Sequence, residues 1–142
     1  MMRFLKKISC AVFILGLTGC AAQTPRQVLE SDASQVKLRS IQSRSFDSSD
    51  KEKTMRTVIA TLQDLDFLVE NADLVLGSVT GSKFLNNVII KMTVTVRPKG
   101  DKQMIVRANA QYGLTAIETP EQYQDFFTTL EKAMFLTANQ AD

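Results

Sequence analysis

The 142-residue sequence predicts an α+β fold in which two amphipathic helices pack on one face of an antiparallel sheet. Hydrophobic residues make up 44% of the chain, which is typical of a domain with a packed core. Two segments place apolar residues at helical spacing, and a long segment between them alternates apolar and polar residues as half-buried strands do. The expected element order is β-α-β-β-β-β-α, a helix-grip-like layout with both helices on the apolar face.

Residues 1–19 have the layout of a bacterial export signal. An apolar run over 8–17 follows three basic residues, Arg3, Lys6 and Lys7. The run is about half of the roughly 20 residues that a membrane-spanning helix needs, so a permanent membrane anchor is the weaker interpretation. An ordinary leader with a chance cysteine and a buried cysteine in a short helix are two further interpretations of the same residues.

The end of this run resembles the bacterial lipobox, in which a peptidase cuts just before a cysteine. The step consists of Leu17, Thr18, Gly19 and Cys20. The resemblance implies an N-acyl diglyceride on Cys20, with palmitate as a typical acyl chain, and no other cofactor. The next residue is Ala21 rather than Asp, which in Gram-negative lipoproteins implies the outer membrane, facing the periplasm. In any other host the expected location is the cell envelope.

Maturation would change both the cysteine count and the charge. Cys10 leaves with the leader and Cys20 carries lipid, so no disulfide is expected in the mature domain. Removal of the three leader cations lowers Lys+Arg from 17 to 14, against 15 Asp+Glu. The electrostatic argument for nucleic-acid binding is lost with them.

The mature chain divides into a polar tether over 20–35, one α+β domain over 36–138 and a tail over 139–142. Partial alternation over 36–47 predicts a strand with a bulge, since the apolar parity of Val36 and Leu38 breaks at Ile41. Residues 48–67 predict a helix that begins with a Ser49–Glu52 capping box. Its apolar stripe consists of Met55, Val58, Ile59, Leu62 and Leu65, and Asp66, which tolerates a left-handed conformation, should end it.

The following strands precede a second helix. Residues 67–81 predict two short strands about a polar turn over 70–73, and residues 84–113 predict a hairpin that turns at 98–101. Residues 118–136 predict a helix with Thr119 as cap, Pro120 in the first position and Gln122 completing a capping box. The apolar stripe of this helix consists of Tyr123, Phe126, Phe127, Leu130, Ala133 and Met134.

Several of these segments resemble a group of small proteobacterial outer-membrane lipoproteins. The resemblance rests on "RSFDSSD", the helix after it, "LQDLDF" and "LVLGSVTG". The same arrangement is similar to one helix-grip repeat of BamC, a lipoprotein of the outer-membrane β-barrel assembly machine. This sequence has Asp66 where that pattern has Gly, and it has room for one such repeat rather than two. The resemblance implies an interaction module of the envelope without catalytic activity.

The residue types disfavour most catalytic chemistry. The chain contains no His, which excludes Ser-His-Asp and Cys-His catalysis and most zinc sites. Ser78 or Ser82 with Lys83 as base is a weak candidate pair. The run "GSVTGSK" over 77–83 has the wrong spacing for a phosphate loop and should be followed by a strand. We therefore expect no enzyme, no catalytic residue, no metal and no nucleotide.

The polar face of the predicted sheet is the candidate site. It would carry Thr93 and Thr95 together with the proposed partner-contacting residues, Lys91, Arg97, Arg107, Asn109 and Gln111. Ordinary solvent exposure explains such a face, whereas the functional interpretation is a basic surface that docks an envelope protein. The leading hypothesis is thus a binding or assembly accessory of an envelope complex. The second hypothesis is a carrier or sensor of a small apolar ligand between helices and sheet, lined by Tyr123, Phe126 and Phe127.

Overall fold

A computed structural model describes residues 34–139 and shows the predicted α+β architecture, with three helices and a six-stranded antiparallel sheet. The expected leader, the lipobox over 17–20, most of the tether and the last three residues lie outside the described range. The helices are α1 (34–41), α2 (Lys51–Asp64) and α3 (Pro120–Asn139). The strands are β1 (Ser43–Asp47), β2 (Leu68–Asp73), β3 (Ser78–Leu85), β4 (Val88–Lys99), β5 (Gln103–Tyr112) and β6 (Thr115–Ala116).

The strands lie in the order β1-β5-β4-β3-β2, and the short β6 also pairs with β5. All pairs are antiparallel. The predicted hairpin over 84–113 corresponds to β4 and β5, except that residues 84–85 end β3 and residues 86–87 form the β3–β4 turn. β5 pairs with β4 along its whole length, from Ile90 opposite Tyr112 to Lys99 opposite Gln103. The turn of this hairpin lies at 100–102. Because β1 pairs with β5, the first strand of the described chain adjoins the fifth.

The core lies between one face of the sheet and the two long helices. Alternate residues of β4 and β5 are buried, including Val94 and Val106. From the helices, the predicted stripes supply Met55, Val58, Leu62, Tyr123, Phe126, Phe127 and Leu130, each no more than 1% exposed. The rings of Phe126 and Phe127 meet edge to face with centroids 5.1 Å apart. The period-2 and period-3.6 patterns therefore predicted which faces meet.

The N-cap of helix α2 lies one residue later than predicted. The Asp50 carboxylate, rather than the Ser49 hydroxyl, accepts from the Lys53 backbone N–H at 2.9 Å, so the expected Ser49–Glu52 capping box is wrong. Asp is as good an N-cap as Ser, and its charge also suits the positive end of the helix. At the other end Asp66 takes φ +64°, the left-handed stop that the sequence predicts.

The segment before β1 differs from the prediction. Residues 34–41 are helical, and only residues 43–47 form a strand, so the predicted strand over 36–47 is wrong in its first half. The Gln42 N–H donates to Leu38 O at 3.1 Å, and the Gln42 carbonyl accepts from Ala108 N–H at 2.9 Å. The parity break at Ile41 marks this change from helix to strand rather than a bulge.

The turn between β2 and β3 also lies elsewhere than predicted. Residues 70–73 belong to β2, and the chain turns at 74–77. The polar residues Glu70 and Asp73 indicated a turn, but β2 is an edge strand, in which polar side chains are common. A bulge between Val69 and Asn71 interrupts its pairing with β3. Within residues 34–139, no helix is long and apolar enough to cross a membrane.

Candidate functional site

The candidate site is the outer face of the sheet, meaning the side turned away from α2 and α3. The strand alternation that buries Val94 and Val106 on the helix side places their neighbours on the outer side. Opposed pairs across β4 and β5 bring the predicted residues together: Lys91 with Gln111, Thr93 with Asn109, and Thr95 with Arg107. Arg97 lies opposite Ile105 at the end of the same face. All five proposed partner-contacting residues therefore share one surface.

Part of the expected positive charge is neutralised. Lys91 Nζ lies 3.1 Å from a Glu70 carboxylate oxygen, and the Ser82 hydroxyl donates to the other oxygen at 2.6 Å. The bond from Ser82, followed by Lys91, holds the pKa of Glu70 below its ordinary value. Sequence reasoning did not find Glu70 because it assigned this residue to a turn. Arg97 and Arg107 remain as exposed cations on the face.

An apolar corner completes the outer face at the β3–β4 turn. Phe84 and Ile89 lie directly opposite each other and are 79% and 44% exposed. Leu68, which is also largely exposed, pairs with Ser82, two positions from Phe84 on the same side of β3. We call Leu68, Phe84 and Ile89 the apolar corner. The odd-numbered parity that Ile89 shares with Lys91 places Ile89 on this face, but it does not indicate which residues of β2 and β3 lie beside it.

This combination is typical of a protein interface. Interfaces join an apolar patch to a rim of polar groups, with aromatic residues and Arg enriched. Isolated exposed apolar residues are normal, but clustered ones beside a polar surface indicate an interaction site. The outer face has both components side by side, because β3 and β4 place the apolar corner next to Lys91 and Gln111.

A small pocket opens on the other side of the sheet, where α2 ends. It has a volume of about 230 Å³ and is lined by Leu65, Phe67, Lys83, Leu85, Ile90, Met92, Ala110, Gln122 and Asp125. The Lys83 ammonium lies 4.6 Å from the centre of the Phe67 ring and donates to Leu65 O at 3.2 Å. The aromatic residues expected to line a ligand cavity, Tyr123, Phe126 and Phe127, are instead packed in the core and do not line this pocket.

The segment that resembles a phosphate loop forms the end of a turn and most of β3. β3 begins directly after Gly77, so the strand lies within this run and does not follow it as predicted. Strand alternation places Ser82 beside Glu70 on the outer face, whereas the neighbouring Lys83 reaches Leu65 and Phe67 on the helix side. Ser82 and Lys83 therefore do not form a nucleophile–base pair. Among residues 34–139, no group of three or more His, Cys, Asp or Glu side chains is arranged to hold a metal ion.

Two comparisons of the chain with known proteins found no match. No protein-family model matches the chain, and a search of curated proteins gave no match.

Proposed function

We propose that the protein is a lipid-anchored envelope protein that acts by binding a partner protein, as an assembly accessory without catalytic activity. The observation that carries the binding role is the outer face of the sheet. Both long helices cover the opposite face, so the outer face keeps its apolar corner and its arginines exposed. A surface of this kind favours docking of a protein with an acidic rim and an apolar centre.

The proposed location rests on the N-terminal sequence. Basic residues, a short apolar run and the Leu17–Cys20 step favour lipidation at Cys20 and the outer membrane as destination. Two or more acyl chains on one residue would hold the domain durably, since a single chain binds only marginally. Growth with labelled palmitate tests this proposal: the label should enter the parent chain and a Cys10→Ser control, but not Cys20→Ser. Equal labelling of all three would contradict lipidation at Cys20.

Site-specific photo-crosslinking in native membranes tests the docking face. A photoreactive residue at Asn109, in the middle of the face, should give a discrete cross-linked species. Phe84→Asp or Arg107→Glu in the same chain should abolish it. A photoreactive residue at Phe135, exposed on α3, is the matched control and should not give this species. The proposal fails if neither substitution changes the product, or if the chain yields none and elutes as a monomer.

A second candidate function is the binding of a small apolar ligand in the pocket at the end of α2. The observation that favours it is the mostly apolar lining, whose charged groups are the Lys83 ammonium and the Asp125 carboxylate. The volume of about 230 Å³ lies below the range of about 300–1,000 Å³ usual for ligand sites, so this candidate ranks second. Native mass spectrometry of the parent and of Ala110→Leu, which fills the pocket, tests it: a bound ligand should appear only in the parent.

A further inference from the structure

The turn between β2 and β3 presents three consecutive apolar side chains to solvent. Leu74, Val75 and Leu76 are 48%, 88% and 70% exposed, and Gly77 closes the turn. We call residues 74–77 the tip turn. Runs of three or more consecutive exposed apolar residues are unusual on a folded domain unless they have a function. The tip turn lies at the end of the sheet opposite the apolar corner, so the two surfaces are separate.

Hydrogen bonds hold the tip turn in one conformation. Asp73 accepts from the backbone N–H groups of Leu76 and Gly77, both at 2.8 Å, through its side chain and its carbonyl respectively. Lys51 Nζ donates to Val75 O at 2.9 Å, and Val96 N–H donates to Gly77 O at 2.8 Å. The apolar side chains therefore stay outside the core because the backbone beneath them is fixed.

The tight contact at Gly77 reinforces this arrangement. Its φ is +71°, and a Cβ there would lie 2.4 Å from Val96 O and 2.7 Å from Lys51 Cε. Only glycine fits both the conformation and the space. Gly77 therefore allows the turn to lie close to Val96 and Lys51, and this close contact leaves the apolar side chains of the tip turn exposed.

Four cations lie at the same end of the sheet as the tip turn, and Lys51 contacts the turn directly. They come from the start of α2, the end of β4 and the β4–β5 turn, and consist of Lys51, Arg97, Lys99 and Lys102. Four carboxylates lie at the same end. Three of them accept hydrogen bonds from the chain itself, namely Asp47, Asp50 and Asp73, and the fourth is Asp101. An ammonium group has three donors, so Lys51 can bind an anion while keeping its bond to Val75 O. Lys99 instead donates to Ser45 Oγ on β1 at 2.9 Å, away from the tip turn.

We propose that the tip turn inserts into the interface of a membrane, with Lys51 at its base on a lipid phosphate. A protruding apolar tip with an ammonium group beside it matches the depth profile of a bilayer, where acyl chains lie just beneath phosphate-bearing headgroups. A protein partner would suit a flatter surface, such as the apolar corner. This contact is made by the folded domain and does not depend on lipid at Cys20.

Tryptophan fluorescence tests the proposal, because the chain contains no Trp. Full-length Val75→Trp and Leu114→Trp each carry one reporter, the second at a fully exposed apolar position in the β5–β6 turn at the opposite end of the sheet. Vesicles contain equal parts phosphatidylcholine and phosphatidylglycerol, with bromine on the acyl chains. Emission from the Val75→Trp chain should shift to the blue and be quenched by bromine, whereas emission from the Leu114→Trp chain should not.

Charge variants make the test quantitative. Lys51→Gln and Lys102→Gln in the Val75→Trp chain should each lower the ratio of inserted to free tip turn about fivefold, the effect of removing one cation near an anionic surface. Equal quenching of the tip reporter and the Leu114→Trp reporter, or no quenching of the tip reporter, would overturn the proposal. A blue shift of the tip reporter without quenching would mean that protein covers the tip, and would overturn it as well. Photo-crosslinking from Asn109 is unaffected by these results, so failure here is distinguishable from failure of the docking face.

Discussion

The hydroxyl of Tyr123 connects helix α3 to three other parts of the chain, of which Gln42 is distant in sequence. It accepts from Gln42 Nε2 and from the Ala110 backbone N–H, both at 3.1 Å, and donates to Ile117 O at 2.6 Å. Helical spacing predicted the buried ring, but it contains no information on the hydroxyl. Within residues 34–139, every fully buried side-chain polar atom has a hydrogen-bond partner, and the Tyr123 hydroxyl partners the buried Gln42 amide.

Tyr123→Phe should lower the free energy of unfolding by about 2–3 kcal/mol, because it removes a shared partner from buried polar groups. Urea denaturation of the full chain measures this change. Tyr112→Phe is the matched control: Tyr112 is more than a third exposed, and its change should stay within about 0.5 kcal/mol. Equal effects of the two substitutions would show that the buried Tyr123 hydroxyl contributes no more to the free energy of unfolding than the exposed Tyr112 hydroxyl.

Glu70 provides a second prediction at the residue scale. Its pKa is lowered chiefly by the Ser82 hydroxyl and then by Lys91, so Ser82→Ala should raise the pKa towards the ordinary glutamate value. A depressed pKa stabilises the fold at pH above the unfolded-state pKa, and this contribution is lost as pH falls through the folded-state pKa. Carboxyl NMR titration measures the shift, with Ser78→Ala as control. An unchanged titration in Ser82→Ala would contradict the assigned cause.

At the scale of elements, the C-terminal end of α2 is a place where a substitution should stabilise the fold. Asp66 is in the left-handed conformation, and its negative charge lies at the negative end of the helix dipole. Asp66→Gly should therefore raise the free energy of unfolding by about 0.5–1 kcal/mol. Gln63→Gly, three residues earlier inside the helix, should lower it by about 0.5 kcal/mol. Thermal unfolding distinguishes the signs, and destabilisation by both would contradict this account.

The elements with long regular patterns were predictable from the sequence. The stripes of α2 and α3 repeat over several turns, and the parity of β4 and β5 continues through their shared turn, so packing and local pattern agree. Short elements were not. Two alternating residues, Val36 and Leu38, predicted a strand where the chain is helical. The two residues of β6 carry no pattern at all.

The turn at 74–77 shows why composition misled. Polar residues usually mark turns, but an edge strand is solvated along its length, so here the polar residues occupy β2 and the apolar ones occupy the turn. The apolar residues of this turn are explained only if they bind something outside the domain.

Sequence patterns are limited in the same way for the candidate site. Parity placed Lys91, Arg97 and Arg107 on one face, but the ion pair with Glu70 and the apolar corner depend on register between strands, which parity does not contain.

At the scale of the whole molecule, the proposed surfaces lie far apart. The apolar corner is next to the β3–β4 turn, and the tip turn lies at the other end of the same strands. A domain that rests on a membrane by its tip turn would hold the outer face upright, with the apolar corner furthest from the lipid. The sheet would then act as a rigid spacer between bilayer and partner.

This arrangement predicts separable losses. Val75→Asp should abolish vesicle insertion of the tip but preserve photo-crosslinking from Asn109, because Val75 lies at the opposite end of the sheet from the apolar corner. Phe84→Asp should do the reverse. Both readouts are taken on the same two variants, and circular dichroism confirms that each folds. Loss of both activities in either variant, with the fold intact, would show that the two surfaces are one site.

The place of β1 beside β5 has a consequence for how the chain is made. Ribosomes synthesise Ser43 long before Arg107, its partner in the ladder. The nascent chain must therefore wait for about sixty further residues before its sheet can close, and long-range pairing of this kind is slow to nucleate. Until then β1 has no partner strand, so a translocation channel or a chaperone can bind it without first unfolding a completed sheet.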